Sequence, residues 1–203
     1  MTTQPLDPDD PPAWAFEAVH LSAYDPSWPD RAEVFAGELR QVLRQWLLAP
    51  VEHVGSTAIP DIVAKPVIDL MAQVADPDLV VEQAGDALHA LHWRYVPPEL
   101  DGRPWRRFFA KVTADEQHRL AHLHLMSVGA ARWDQQLRFR DALRAAPVLR
   151  DEYAAIKSQL AAAYPDDRER YTDEKASFVT RVIHDLDDAP ADPGRPADPG
   201  RPR

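Results

Sequence analysis

The sequence predicts one α+β domain, a sheet with helices packed on it and a C-terminal helical segment, and three observations lead there. Short β-branched runs alternate with amphipathic stretches from Phe16 to Val128, and the rest of the chain is helical in pattern, divided by prolines. The 203 residues, 45% of them hydrophobic, are enough for one substantial core and too few for two comfortable ones.

The elements follow in order. "FEAVHLSAY" (16–24) reads as a first strand. A helix over about 29–48 opens near Pro29 and carries Val34, Phe35, Leu39, Val42, Leu43 and Trp46 at helical spacing. "VEHVG" (51–55) and "PVIDLMAQV" (66–74) are short strands joined by a loop with Pro60 and Pro66. Asp76 and Pro77 suit the start of a second helix, whose apolar side holds Leu79, Val80, Ala84, Ala87, Leu88 and Leu91. "WRRFFAKVT" and "RLAHLHLMSV" read as two antiparallel strands, and three helices, about 129–145, 147–163 and 166–186, are separated by Pro147 and Pro165.

The expected domain runs from 14 to 186. Residues 1–13 and 187–203, the latter with "ADPGRP" twice in succession, are Pro-, Asp- and Gly-rich and read as disordered tails. A net charge of −10 argues against general nucleic-acid binding, which rests on neutralising phosphates with Lys and Arg. The absence of cysteine removes disulfides, thiol nucleophiles and Cys-ligated zinc. No apolar run approaches the roughly 20 residues of a membrane span, so the expectation is a soluble, cytoplasmic protein that does not engage membranes.

The chemistry concentrates in "VEHVGSTAIPDIVAKPVIDLMAQV" (51–74). Gly55 and Ser56, followed by Thr57, end a strand with a tight turn that offers amides and hydroxyls to an anion such as a triphosphate. Period-two alternation then places Val67, Asp69, Met71 and Gln73 on one strand face. An uncompensated carboxylate in an apolar strand is costly, so Asp69 is the leading functional residue, with a simple ion pair as the plain alternative. His122 and His124 share a face of their own strand and either line a pocket or face solvent.

Together with "FFAKV", "HLHLM", "LRFRDALRAAP" and "YTDEKASFV", this stretch resembles the GrpB family, a branch of the nucleotidyltransferase-like superfamily also found joined to dephospho-CoA kinase; the resemblance covers about 16–184. It implies a nucleotidyltransferase-like mixed sheet, carboxylates on adjacent strands that hold a divalent metal ion against a nucleoside triphosphate, and nucleotidyl or related transfer to a small-molecule acceptor. The superfamily's paired acid would stand at 71, where this chain has Met71, and a later acid is replaced by His122 and His124, as in GrpB-like sequences generally. The implied metal set is therefore Asp69, His122 and His124, a mixed nitrogen and oxygen set that suits zinc or manganese better than magnesium.

The remaining candidates have plainer alternatives beside them. His53 is a phosphate partner or general base, or else a histidine bonding loop backbone. Lys65 reaches a ligand phosphate or is a surface lysine, and Lys175, carried by the resemblance, enters the pocket from the last helix or is solvated. Arg107 and Lys111 share a strand face and are a minor phosphate-clamp candidate, whereas Arg140, Asp141 and Arg144 suit helix-face pairing. Two functions remain open: a transferase or ligase with Asp69, His53 and Lys65 as its reactive residues and Gly55, Ser56, Thr57, Lys65 and Lys175 holding the nucleotide, or a non-catalytic nucleotide- or metabolite-binding accessory module that keeps the fold with a reduced metal site.

Overall fold

In the computed structural model, which describes residues 11–17, 20–164 and 168–188, five strands form one mixed sheet. They are β1 (Glu52–Val54), β2 (Ile68–Val74), β3 (Trp93–Val96), β4 (Arg107–Val112) and β5 (Arg119–Ser127), in the spatial order β1-β2-β5-β4-β3. Central β2 and β5 run parallel and every other neighbouring pair is antiparallel.

Two helices cover one face. In α1 (Trp28–Val42) Pro29 occupies the first turn, where its missing N–H costs nothing, and Trp28, Ala32, Ala36 and Leu39 fall on the buried stripe. In α2 (Pro77–Ala90) the Asp76 carboxylate accepts from the amides of Asp78 and Leu79 at 3.0 and 3.1 Å, fixing the start, and Val80, Ala84 and Leu88 repeat every four residues inward. These stripes pack on Ile68, Leu70, Ala72 and Val74 of β2 and Ala121, Leu123 and Leu125 of β5, the alternate residues that period two sends to that side. The short α3 (Pro98–Asp101) precedes β4, and α4 (Ala131–Ala145), α5 (Pro147–Ala163) and α6 (Arg168–Asp188) complete the chain. The last three make a satellite core from Phe139, Leu143, Tyr153, Phe178 and Val182, which also takes in Ile59 and Ile62 of the β1–β2 loop. No helix among the described residues is long and apolar enough to cross a membrane.

Several elements depart from expectation. Residues 16–24 form no strand among the described residues: Ala13–Phe16 make a 3-10 turn, and Ser22 only bridges Ala64, its amide donating to the Ala64 carbonyl at 2.9 Å. That segment has the composition of a strand but no neighbour offers it a full edge. The α1 helix stops at Val42 rather than 48, and Leu43–Leu47 close as tighter turns before the Leu48 amide donates to the Gln73 carbonyl at 2.9 Å. Strand β3 was not expected, because four residues bearing Trp93, Arg94 and Tyr95, followed by Pro97, lack a clean polar alternation. Of the expected tails, residues 1–10 and 189–203 lie outside the described residues, as does Pro165.

Register also reassigns Arg107 and Lys111. They pair with Leu125 and Ala121 and so project to the α1–α2 face, away from the histidines. Arg107 Nη2 donates to Asp78 Oδ2 at 2.7 Å, and Lys111 Nζ donates to Glu38 Oε2 at 2.7 Å and to the Leu91 carbonyl at 2.8 Å. The phosphate-clamp idea for this pair is therefore corrected: both cations are already engaged on the structural side of the sheet.

Lys111 is only 7% exposed, so Glu38 compensates a buried ammonium. We predict that Glu38→Ala destabilises the fold by on the order of 3 kcal/mol, because one charge of a buried pair is left behind, and that adding Lys111→Met recovers most of the loss. Urea unfolding of both variants checks this; a single variant as stable as the parent contradicts it.

Candidate functional site

The second face of the sheet carries the chemistry. Parallel pairing sets Asp69 of β2 opposite His122 of β5 and Met71 opposite His124, so one carboxylate and two imidazoles meet at the sheet centre. His122 Nδ1 donates to Asp69 Oδ1 at 2.9 Å and His124 Nε2 donates to the same oxygen at 3.4 Å. Burial alone would push the Asp69 carboxyl up, yet these two hydrogen bonds outweigh it and hold the group well below the usual carboxylate range. Asp69 is ionised at neutral pH.

The turn after β1 closes over this carboxylate. Gly55 has φ +69° and ψ −168°, a region essentially reserved for glycine, and a Cβ there would lie 2.3 Å from Asp69 Oδ2. Gly55 therefore permits both the turn and the contact. Ser56–Ala58 then wind as one 3-10 turn in which Thr57 is buried, and Ser56 Oγ lies 3.5 Å from the Tyr153 hydroxyl of α5. His53 is not on the Asp69 face: it pairs in register with Leu70, and its Nε2 meets Thr57 Oγ1 at 2.9 Å, so it braces the turn. Burial holds His53 at about 4, against partial compensation from Asp69. Helix α4 braces the same turn from outside, Arg140 Nη1 donating to Glu52 Oε2 at 2.7 Å and Arg144 Nε to the Ala58 carbonyl at 2.8 Å.

Around Asp69 the chain gathers cations. Lys157 of α5 is 1% exposed, with Nζ donating to the Val63 carbonyl and lying 5.3 Å from the Tyr153 ring centre. Burial, then the neighbouring charge of Lys175, lowers Lys157 to about 7, while Asp69 works the other way. Lys65 and Lys175 are lowered to about 8, in each case first by burial, and both feel Asp69 as a counter-charge. Arg119 is buried beside Glu17 and senses Asp69 as well. Sequence reasoning placed Lys65 and Lys175 here but missed Lys157. The signal was its position four residues after Tyr153, on the stripe that α5 turns inward.

Arg106 is a second residue that the sequence did not single out, its partners being brought to it by the fold. It is 7% exposed and forks onto Asp101, Nε to Oδ2 at 2.8 Å and Nη2 to Oδ1 at 2.6 Å. Its Nη1 donates to His124 Nδ1, and its guanidinium lies 4.1 Å from the Phe108 ring centre. A continuous hydrogen-bonded chain results: Asp101, Arg106, His124, Asp69, His122. Burial, then Arg106, lowers His124 to about 4, so it is neutral at pH 7. Beyond this chain, among the described residues, His122 Nε2 is buried without a hydrogen-bond partner.

Asp69, His122 and His124 offer donor atoms within 4.8 Å of one another, the spacing of a metal centre. The hydrogen bonds among them do not fit one. A neutral imidazole has one lone pair, and Arg106 takes that of His124, leaving an N–H where a metal needs a donor. Met71, fully buried against Val54, Met126 and Trp133, stands where a second carboxylate would be needed.

A family model described as GrpB protein matches residues 18–185. A UPF0157 protein of Halalkalibacterium halodurans is 36% identical over 82% of this chain and 81% of its own length. The UPF0157 protein YqkA of Bacillus subtilis is 32% identical over 79% of this chain, which spans only 45% of that relative. Among solved structures, the conserved protein GrpB from Enterococcus faecalis superposes with a TM-score of 0.69 at 29% identity, covering 82% of this chain and 96% of its own.

Two outcomes follow from the geometry. Gly55→Ala should cost at least about 1–3 kcal/mol from backbone strain alone and displace Asp69 besides. Its thermal midpoint checks this, and an unchanged midpoint contradicts the contact. The second concerns pH: Lys157, Lys65 and Lys175 sit at about 7, 8 and 8 in the fold and near 10.5 when unfolded. Above pH 7 the unfolded chain thus binds more protons, so stability rises between pH 7 and 9. Lys157→Met should flatten that rise; a midpoint that falls across the window contradicts the buried lysines.

Proposed function

The chain belongs to the GrpB family, and on that premise we propose that it binds a nucleotide through its phosphates and transfers a nucleotidyl or related phosphate-activated group to a small-molecule acceptor. One observation carries the reading. In a chain of net charge −10, Lys65, Lys157, Lys175 and Arg119 gather around Asp69, with Lys157 and Arg119 buried and burial the first cause of the lowering in all four. Desolvating like charges together is unfavourable; Asp69 and Glu17 offset part of that cost, and a polyanionic ligand adds further counter-charge where the cations converge. The reading assigns the phosphates to the three lysines and to the turn, where Gly55 lets the backbone approach closely and Ser56 offers a hydroxyl.

Each reactive residue then has a task. Asp69, ionised, accepts from His122 Nδ1 and so fixes the tautomer that leaves Nε2 as a proton acceptor. His122 is thereby the general base for an acceptor hydroxyl or amine, in the arrangement by which a carboxylate orients a catalytic imidazole. The lysines stabilise charge that develops on the phosphoryl oxygens. His53 holds Thr57 and the turn in position. A second reading, an accessory module that binds the nucleotide without transferring it, is favoured by Met71, since its buried side chain closes the position of the second acid.

The test is calorimetric titration with ATP, CTP, GTP and UTP. At least one should bind, and Lys157→Met or Lys175→Gln should weaken it by on the order of tenfold or more, the worth of one charge-assisted contact. Binding a polyanion restores protons to the lysines, so at pH 8 complex formation should take up protons, read as a heat that varies with buffer ionisation enthalpy. Failure of all four nucleotides to bind removes the proposal. Binding without turnover when labelled nucleotide is mixed with metabolite pools favours the accessory module.

A further inference from the structure

We propose that Arg106 occupies the electrostatic place of a divalent metal ion at this centre, and that Asp69, His122 and His124 operate as a metal-free hydrogen-bonded relay. The inference concerns the protein's own residues and does not depend on which ligand the lysines hold.

Proton counting is the first argument. A guanidinium only donates, and it stays charged at any pH at which the protein is folded. Because Arg106 Nη1 meets His124 Nδ1, that nitrogen must be the bare one, and the imidazole proton sits on Nε2, directed at Asp69 Oδ1 3.4 Å away. A metal shared with Asp69 needs the lone pair of that same Nε2. The two arrangements exclude each other: a metal ion requires the opposite tautomer, which turns an N–H of His124 towards an N–H of Arg106.

The second argument is that Arg106 is not free to withdraw. Its Nε–Nη2 edge is taken by Asp101, whose side chain is 5% exposed and would be left as a buried, unpaired carboxylate. The guanidinium is also sandwiched by rings, 4.1 Å from the centre of Phe108 and 5.1 Å from that of Trp105, while Trp105 stacks on His124 itself at 6.3 Å with only 8° between the planes. The cation and its imidazole partner are thus held by the same aromatic residues.

The third is the ligand count. With His124 a donor and Met71 apolar, only Asp69 and His122 remain, fewer than the three protein ligands that catalytic zinc sites present, and a guanidinium stands at the other ring nitrogen of His124. What a metal would do for Asp69, balancing its charge and fixing its position, is done by the relay: Asp101 holds Arg106, Arg106 sets the His124 tautomer, and His124 and His122 both donate to Asp69.

Two measurements on the full chain decide this. Long-range proton–nitrogen correlation spectra of the histidine rings should show His124 protonated on Nε2, assigned by its loss in His124→Ala; protonation on Nδ1 would overturn the proposal. Titrations of metal-stripped protein with Zn²⁺, Mn²⁺ and Co²⁺ alone, by calorimetry and by Co²⁺ visible absorption, should give the same isotherms for the parent and for His124→Ala. One equivalent of metal bound by the parent and lost in both His124→Ala and Asp69→Asn would sink it. The paired variant Asp101→Leu/Arg106→Leu, which leaves no buried charge behind, frees His124 to switch tautomer and should bind Co²⁺ at least tenfold tighter than the parent. A folded paired variant with no gain would show that Arg106 is not what bars the metal.

Discussion

Everything on the reactive face depends on keeping one carboxylate, Asp69, charged at the centre of a sheet. Burying such a group without partners is prohibitive, so the surrounding structure has to supply them. The parallel β2–β5 pairing does so by register, setting His122 beside it and His124 two residues on. The third side is closed by Gly55, the one residue type whose lack of a Cβ lets the backbone lie against Oδ2. Strand order, turn geometry and side-chain chemistry are consequences of that single requirement.

Both faces of the sheet carry paired cations, but they gather them differently. On the α1–α2 side each embedded cation meets a carboxylate from the covering helix, Lys111 with Glu38 and Arg107 with Asp78. That face is a closed account of structural pairs. On the other side, positive residues converge from four separate elements, Lys65 from the loop before β2, Lys157 from α5, Lys175 from α6 and Arg119 from β5, and all of them sense Asp69. Bringing cations together from such distant points in the chain opposes folding, and Asp69, with Glu17 beside Arg119, offsets part of that cost. The proposed phosphate-bearing ligand rests on this convergence of cations more than on any single motif.

Part of this was legible in the sequence. A carboxylate in the apolar run "PVIDLMAQV" and two histidines at alternate positions in "HLHLM" announce themselves, because period two converts spacing directly into a shared face. Gly55 was legible as a turn but not as a contact, since its closeness to Asp69 is created by the antiparallel β1–β2 register. Arg106 and Lys157 were not legible for a related reason. Alternation turns Arg106 away from Arg107, but its partners Asp101 and His124 come from α3 and β5 and are brought to it only by the fold, and Lys157 occupies a helix stripe that reads as core until Tyr153 and Val63 are seen to receive it. The segment at 16–24 misled for the converse reason, having strand composition without an available edge. Local pattern specifies faces; only assembly specifies which faces meet.

Met71 and Arg106 are best understood together. Relative to a centre with two acids, an apolar residue at 71 removes a negative charge, and a guanidinium against His124 brings a positive one near. Both changes push the local potential in the same direction, away from binding a free cation and towards binding an anion. A site that has lost a carboxylate by itself would be a damaged metal centre, with a void or a stray polar group to show for it. Here Met71 is fully buried among Val54, Met126 and Trp133, and Arg106 is satisfied by Asp101 and clasped by aromatic rings. The positions of Met71 and Arg106 are filled and bonded, and among the described residues the polar atom of this centre left without a hydrogen-bond partner is His122 Nε2, the nitrogen proposed as proton acceptor. The packing of Met71 and the pairing of Arg106 fit the proposed metal-free relay, in which the protein's own guanidinium rather than a bound cation stands beside His124.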